Sequence, residues 1–234
     1  MAETAPAPST ARLTGALYLG TIVFGLFAEV GSRGSLIVGS DAAATARSIL
    51  ANEALFRAGL AADLAMLACY VGVTTLFLDM FRSVHAGVSR MAAAFSLIGI
   101  AVLAADTLLL LVPLRLLAAP PYLAALGSSQ RDAVTLLALK VHGDGYDVSL
   151  VFFGIYCLML GWLVWRSGFL PKTIGALMAL AGACYILNSI ANLAVPAFAR
   201  MLSPHLMDPT LIGEVTLALW LLVFGAGRRS KRDR

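Results

Sequence analysis

KVHGDGYDVSLVFFGIYCLMLGWLVWR (Lys140–Arg166) joins a polar beginning to a long apolar continuation. The polar part, His142 to Asp147, holds one histidine, two aspartates and two glycines. No charged residue follows from Val148 to Trp165, which is about the length that a helix needs to cross a bilayer. Ionisable side chains at the mouth of a membrane span cost free energy unless they have a partner or a function. The stretch therefore predicts a transmembrane helix with a polar site at its beginning.

The composition of the whole chain is that of an integral membrane protein. Of its 234 residues, 60% are hydrophobic and 13% are charged, and the mean hydropathy is +0.87. A soluble domain usually carries about a quarter charged residues. A water-surrounded core of this size could not bury so much apolar surface, so the composition excludes an ordinary soluble protein. The composition therefore predicts that the chain lies in a lipid bilayer.

Six apolar segments predict an all-α, polytopic transmembrane bundle. Their approximate limits are 13–30, 54–81, 90–114, 148–165, 173–195 and 211–224. Polar capping residues at 40–41 and 128–129 predict two short interfacial helices on the outer side, about 41–51 and 130–141. The glycines at 31 and 34 predict the end of the first helix, and Gly143 and Gly145 predict joints of a lid. Tyr146, Trp162 and Trp165 are typical of interfacial anchors.

The chain reads as one domain with two short ends. Residues 1–11 are rich in Ala, Pro and Thr and predict a disordered lead, and residues 12–227 form the six-span domain. Residues 228–234 hold five basic side chains and predict a cytoplasmic tail near anionic lipid. No aromatic or groove-reading motif accompanies them, which argues against nucleic-acid binding. The density of Lys and Arg in the connecting segments predicts that both termini are cytoplasmic.

With this topology, all six spans bring polar side chains to the outer half of the bilayer. Acids at this depth outnumber arginines, so a bound cation would help to balance their charge. Pairing between acids and arginines, as at i,i+4 positions on one helix, is the alternative explanation. Asp106 also lies at this level, inside the third span. The candidate ligand-binding residues are Glu29, Arg33, Arg57, Asp63, His142, Asp147, Asn188 and Glu214.

A divalent metal is a further alternative, with His142, Asp147 and Glu214 as ligands. Such a carboxylate-rich set suits Mn, Fe or Zn. The spacing does not match a known metal motif, and His142 and Asp147 fall on different faces of a continuous helix. Three functions remain open: binding or moving a small ligand, cation or lipid headgroup; a metal-assisted membrane enzyme, a hydrolase or redox protein; and a structural or partner-binding subunit whose charges only hold helices together.

Four stretches resemble a bacterial integral membrane family of unknown function, the domain numbered 4386. They are residues 15–34, beginning GALYLGTIVFGLFAE, residues 41–64, residues 142–175, and the pair 186–189 and 213–222. The resemblance implies a multi-span protein of the bacterial inner (plasma) membrane and implies no particular activity. It is loose over residues 91–130, which contain Asp106. It also implies that seven residues belong to the family's pattern: Glu29, Arg33, Arg57, Asp63, His142, Asp147 and Glu214.

Overall fold

The structure is a computed structural model that describes residues 7–202 and 205–227. Over these residues the chain forms helices and turns, with no strand. The π-helical turn Phe27–Arg33 belongs to the first helix, and short 3-10 turns occupy Pro121–Leu123 and His205–Met207. The helices are α1, Pro8–Leu36; α2, Ala42–Ala51; α3, Glu53–Leu117; α4, Ser128–Ser167; α5, Lys172–Ala194; α6, Pro196–Leu202; and α7, Asp208–Val223.

Four of these helices are long and apolar enough to cross a membrane: α1, α3, α4 and α5. Their apolar side chains face both the bundle core and the outside, as expected where the surroundings are lipid and not water. The predicted all-helical fold is confirmed for the described residues, and these four helices are consistent with the predicted membrane protein.

Helix α3 is a hairpin. His85 has an extended backbone (φ −159°, ψ 98°) that interrupts the helix between the second and third predicted spans. The hydroxyl oxygens of Thr74 and Ser96 lie 2.7 Å apart, and Ser89 Oγ donates to the Leu78 carbonyl at 2.8 Å. In an unbroken helix Thr74 and Ser96 would be about 33 Å apart. The arms 53–84 and 86–117 therefore run antiparallel, side by side.

Neighbouring long helices contact each other in chain order. Helix α1 packs on the first arm of α3, α4 packs on both arms, and α5 packs on α4. Helix α7 packs on α5 and also on α1, where Gly15 faces the backbone of residues 218–222. This last contact closes the helices into a ring. Gly225 lies near Pro8 and Ala11, so the two ends of the described domain meet at the same end of the bundle.

The short helix α2 covers the other end of the bundle. It begins as predicted, because the Asp41 side chain accepts a hydrogen bond of 2.8 Å from the Ala44 N–H. Its Ile49 joins a small separate core with Leu110 and Leu139. This packing attaches α2 to the second arm of α3 and to α4.

Two predicted helix ends were wrong. Residues 8–11, assigned to the lead, form the first turn of α1, with Pro8 at a position where proline is well tolerated. Residues 1–6 and the basic tail 228–234 lie outside the described residues. Helix α1 also continues through Gly31 and Gly34 to Leu36, because the wider π-helical turn carries the chain past both glycines.

The second predicted interfacial helix and its glycine joints were also wrong. Residues 130–141 are the first turns of α4, a single helix of 40 residues that runs through Gly143 and Gly145. The helix begins after Gly127, whose N–H donates to the Gln130 side chain at 2.8 Å. The described structure therefore has no joint for a lid at this position.

Candidate functional site

A cavity of about 710 Å³ lies inside the ring, in the half of the bundle remote from the chain ends. Small-molecule sites usually measure about 300–1,000 Å³. Residues of α1, both arms of α3, α4, α5 and α7 contribute to its wall, which is largely apolar. The charged, histidine, amide and tyrosine side chains of the lining are Glu29, Arg33, Tyr70, His142, Tyr146, Asp147, Tyr185, Asn188, Asp208 and Glu214.

Arg33 joins α1 to the α3 hairpin through a buried ion pair. Its Nη1 and Nη2 donate to the Asp63 carboxylate at 2.5 and 3.2 Å, and its Nε donates to Glu29 at 3.0 Å. Two-pronged contacts between a guanidinium and a carboxylate are among the stronger hydrogen-bonded pairs. The Arg33 charge is therefore shared by two carboxylates, and Arg33 is poorly placed to attract an anion into the cavity.

A close contact between α1 and α3 positions this pair. Ser32 Oγ donates to the Leu55 carbonyl at 3.1 Å, and any β carbon at Gly59 would collide with Ser32 Oγ. Glycine at 59 thus lets the two helices approach. The π-helical turn holds Glu29 and Arg33 together on one face of α1, and such turns are frequent at functional sites.

Asp106 and His142 form a second buried pair, in which His142 lines the cavity and Asp106 lies behind it. His142 Nδ1 lies 2.6 Å from Asp106 Oδ2, and both side chains are buried. This contact does not have the geometry of a hydrogen bond, and neither ring nitrogen of His142 has a hydrogen-bond partner among the described residues. Asp106 was not in the predicted set. Its depth in the third predicted span was the available signal, and its carboxylate packs against the glycine at 145.

Gly145 should be essential for this pair, and Gly143 should not. A β carbon at Gly145 would collide with Asp106, so we expect Gly145→Ala to lower the free energy of unfolding by about 1–3 kcal/mol. Gly143 has open space around it, and Gly143→Ala should be neutral or stabilise by up to about 1 kcal/mol, because alanine favours helix. Denaturant unfolding of both variants in detergent tests this. If the two variants change the free energy of unfolding equally, the contact between Gly145 and Asp106 does not matter for stability.

Glu214 is a buried carboxylate without a basic partner. The residue is 8% exposed, and Tyr185 Oη donates to its Oε1 at 3.2 Å. It forms no ion pair with any described residue. A carboxylate at this depth in a bundle is costly unless it is neutralised.

Asp147 and Asn188 add polar groups from α4 and α5. Asp147 is half-buried and accepts a hydrogen bond of 3.2 Å from Asn192 Nδ2, and Asn188 lines the cavity. Asp147 has no ion pair within the part of the chain that the structure describes. Two acids of the lining, Asp147 and Glu214, thus have amide or hydroxyl partners and no described basic one.

Arg57 and Asp63 were both predicted to belong to the ligand-binding site, but neither residue lines the cavity. Arg57 is exposed, and its Nε donates to Glu53 at 2.7 Å, one turn away on the same helix. Both side chains of this pair are exposed, and Arg57 is not among the lining residues. Asp63 lies behind Arg33 and contributes to the site only by its hydrogen bonds to that residue.

The predicted metal ligands His142, Asp147 and Glu214 all line the cavity but do not form a ligand set. Among the described residues, no group of three or more His, Cys, Asp or Glu side chains is arranged to hold a metal ion. The three contact different neighbours: Asp106, Asn192 and Tyr185. These separate contacts hold them apart from one another.

Tyrosines contribute more to the site than their sequence positions suggested. Tyr146, predicted as an interfacial anchor, is partly buried and lines the cavity. Tyr185, which the sequence did not single out, donates to Glu214. The sequence could have indicated Tyr185 as a site residue, because it lies one turn before the predicted site residue Asn188 on α5. By contrast, Trp162 and Trp165 are exposed beside Arg166 and Lys172, as interfacial anchors would be.

Comparison with known proteins confirms the family resemblance. An uncharacterized protein from the archaeon Archaeoglobus fulgidus is 35% identical over 79 residues, which are 34% of this chain and 45% of the relative. The chain thus matches less than half the length of that curated relative, and the similarity extends beyond bacteria. No solved structure matches the chain. The family model described as "Domain of unknown function (DUF4386)" matches residues 13–225, and the chain therefore belongs to this family.

Proposed function

We propose that this is a multi-pass protein of a bacterial inner membrane whose cavity binds a small organic cation with an apolar body. Six spans would be formed by α1, the two arms of α3, α4, α5 and α7. Each arm of α3 is longer than the about 20 residues that a span needs. The ring of antiparallel helices supports α7 as the sixth span, although it is shorter than the others. Helix α2 would lie at the outer interface.

The basic residues support cytoplasmic termini. Arg82 and Arg90 flank the hairpin turn of α3, and Arg166 and Lys172 flank the turn between α4 and α5. His85 of the hairpin turn contacts Trp162, so these two turns lie at one end of the bundle. The positive-inside rule favours the cytoplasm for this end. The cavity would then lie in the outer half of the bilayer.

The observation that carries the proposed ligand is Glu214. This buried carboxylate borders the cavity, and no described basic side chain neutralises it. Arg33, the guanidinium of the lining, is already paired with Asp63 and Glu29. Apolar walls around an excess of carboxylates favour a ligand that combines a positive charge with apolar surface. A metal ion is less well supported, because the carboxylates are not grouped.

Two probes of similar size and opposite charge test this proposal. We expect radiolabelled tetraphenylphosphonium to bind the purified protein in lipid nanodiscs, and radiolabelled tetraphenylborate, measured in separate samples, not to bind. Glu214→Gln should weaken tetraphenylphosphonium binding by about 10–100-fold, because it removes the charge and keeps the shape. Scintillation proximity measures the affinity directly.

Glu53→Gln is the matched control, because Glu53 is a surface carboxylate paired with Arg57 outside the cavity. It should leave tetraphenylphosphonium binding unchanged. Glu214→Gln should also keep or raise the unfolding midpoint, since a buried charge is removed. If Glu214→Gln lowers the midpoint while neither probe binds the original protein, Glu214 only holds helices together and the proposed function is wrong.

A further inference from the structure

The cavity has an opening on the side of the bundle between α1 and α7. Leu26 of α1 and Leu211 of α7 both line the cavity, yet they are 45% and 41% exposed. Residues that line a cavity and also face the outside mark its opening. The two residues stand on adjacent helices of the ring, so the opening is a slot between them.

The two helices separate toward this slot. At the end near the chain termini they are in close contact, because a β carbon at Gly15 would lie 2.5 Å from the Leu222 nitrogen. Farther along α1, the turn Phe27–Arg33 packs against α3 and makes little contact with α7. Extending the antiparallel pairing from Gly15 places Leu26 and Leu211 at about the same depth. Helix separation at this depth therefore explains the slot.

The outside of the slot is apolar. Next to it, Val30 of α1 is 65% exposed and Ile212 of α7 is 55% exposed. These side chains suit contact with lipid chains. Two exposed acids of the lining, Glu29 on α1 and Asp208 on α7, lie about one turn farther along, toward the outer end of the slot. The carboxylate of Glu29 at the same edge marks the polar end of the slot, where headgroups would lie.

From these observations we infer that the ligand enters from the bilayer through the slot between α1 and α7, and that it is a single-chain amphiphile with a cationic headgroup. Its headgroup would lie in the cavity beside Glu214, and its chain would leave between Leu26 and Leu211 into the lipid. The charge complementarity comes from the acids of the cavity, and the apolar edges of the slot match an alkyl chain. This inference depends on the proposed cation-binding function and adds the chemical class of the ligand and its route.

Competition against tetraphenylphosphonium in nanodiscs tests the inference. Dodecyltrimethylammonium and tetramethylammonium carry the same headgroup, and the first adds an alkyl chain. We expect dodecyltrimethylammonium to compete at a concentration lower by about 100-fold or more, because its chain is buried in the slot and the lipid. Partitioning into lipid also raises the local concentration of dodecyltrimethylammonium. Variants of the slot therefore distinguish binding in the slot from partitioning.

Leu211→Trp should narrow the slot and weaken competition by dodecyltrimethylammonium by about tenfold or more. Leu219→Trp is the matched control, because Leu219 is 43% exposed on the same helix and does not line the cavity. It should leave the competition unchanged. If Leu211→Trp does not fold, Leu26→Trp narrows the slot from the opposite helix and has the same expected result.

The outcomes separate the two proposals. If tetraphenylphosphonium binds in a Glu214-dependent way but slot and control variants behave alike, the slot is not the route and the cation-binding function stands. If tetramethylammonium competes as well as dodecyltrimethylammonium, the ligand is not an amphiphile. If tetraphenylphosphonium does not bind the original protein, the proposed function fails and this inference fails with it.

Discussion

Replacing Arg33 with methionine is expected to lower the free energy of unfolding by about 3–5 kcal/mol, because Asp63 would remain as a buried and unpaired charge. The Arg33 guanidinium is the ion-pair partner of Asp63 within the described residues, and both side chains are buried between α1 and α3. Methionine keeps much of the apolar stem and removes the charge. Equilibrium unfolding of the purified protein in mixed micelles measures the effect.

Two further variants distinguish a lost ion pair from lost packing. Arg57→Met removes an exposed arginine that is paired with Glu53, and it should change the free energy of unfolding by less than about 0.5 kcal/mol. The double variant Arg33→Met with Asp63→Leu removes both buried charges and should regain most of the stability, since apolar pairs often replace buried ion pairs. A double variant less stable than Arg33→Met alone would show that the charges are not coupled.

Gly161→Leu is expected to have a comparably large effect, about 3 kcal/mol or more, or to prevent folding. Gly161 of α4 faces Gly175 of α5, and a β carbon at Gly161 would lie 2.6 Å from the Gly175 carbonyl oxygen and 2.7 Å from the Ala179 nitrogen. Backbone atoms on the other side cannot move as a flexible side chain could. In membranes, such small-residue contacts supply much of the association between helices.

Gly143→Leu is the control for this prediction, because Gly143 lies on the same helix with nothing within 4 Å of an added β carbon. We expect a change within about 1 kcal/mol, as for other surface substitutions. Unfolding midpoints in a series of denaturant concentrations compare the two variants. If Gly161→Leu is as stable as Gly143→Leu, the close approach of α4 and α5 is not needed for the fold.

The helical membrane class could be predicted from the chain because it depends on composition and local apolar length. The apolar run from Val148 to Trp165 is too long for an ordinary soluble helix and carries no charge. The Asp41 cap of α2 was predictable for the same reason, since its hydrogen bond joins residues three apart. Such features arise within one segment, where sequence spacing is enough.

Features that depend on a neighbouring helix could not be predicted. Gly143 and Gly145 are two residues apart and have the same intrinsic preferences, yet one faces open space and the other receives the Asp106 carboxylate. The helix continues through both glycines, so the predicted joint of a lid is absent from the described structure. Arg33 follows the first predicted span and Arg57 begins the second, and only the packing of α1 on α3 buries Arg33 and leaves Arg57 exposed.

The amino-acid sequence by itself determined that this protein is a bundle of apolar helices, each with polar residues toward one end, because hydrophobic length and charge placement are local properties of the chain. Only the tertiary structure decided which of those polar residues meet. Helix rotation and close glycine contacts pair Arg33 with Asp63 and Asp106 with His142, and they leave Glu214 beside the cavity without a described basic partner. The physical reason is that side-chain direction around a helix changes by a large angle with each residue, so a small difference in packing selects a different neighbour.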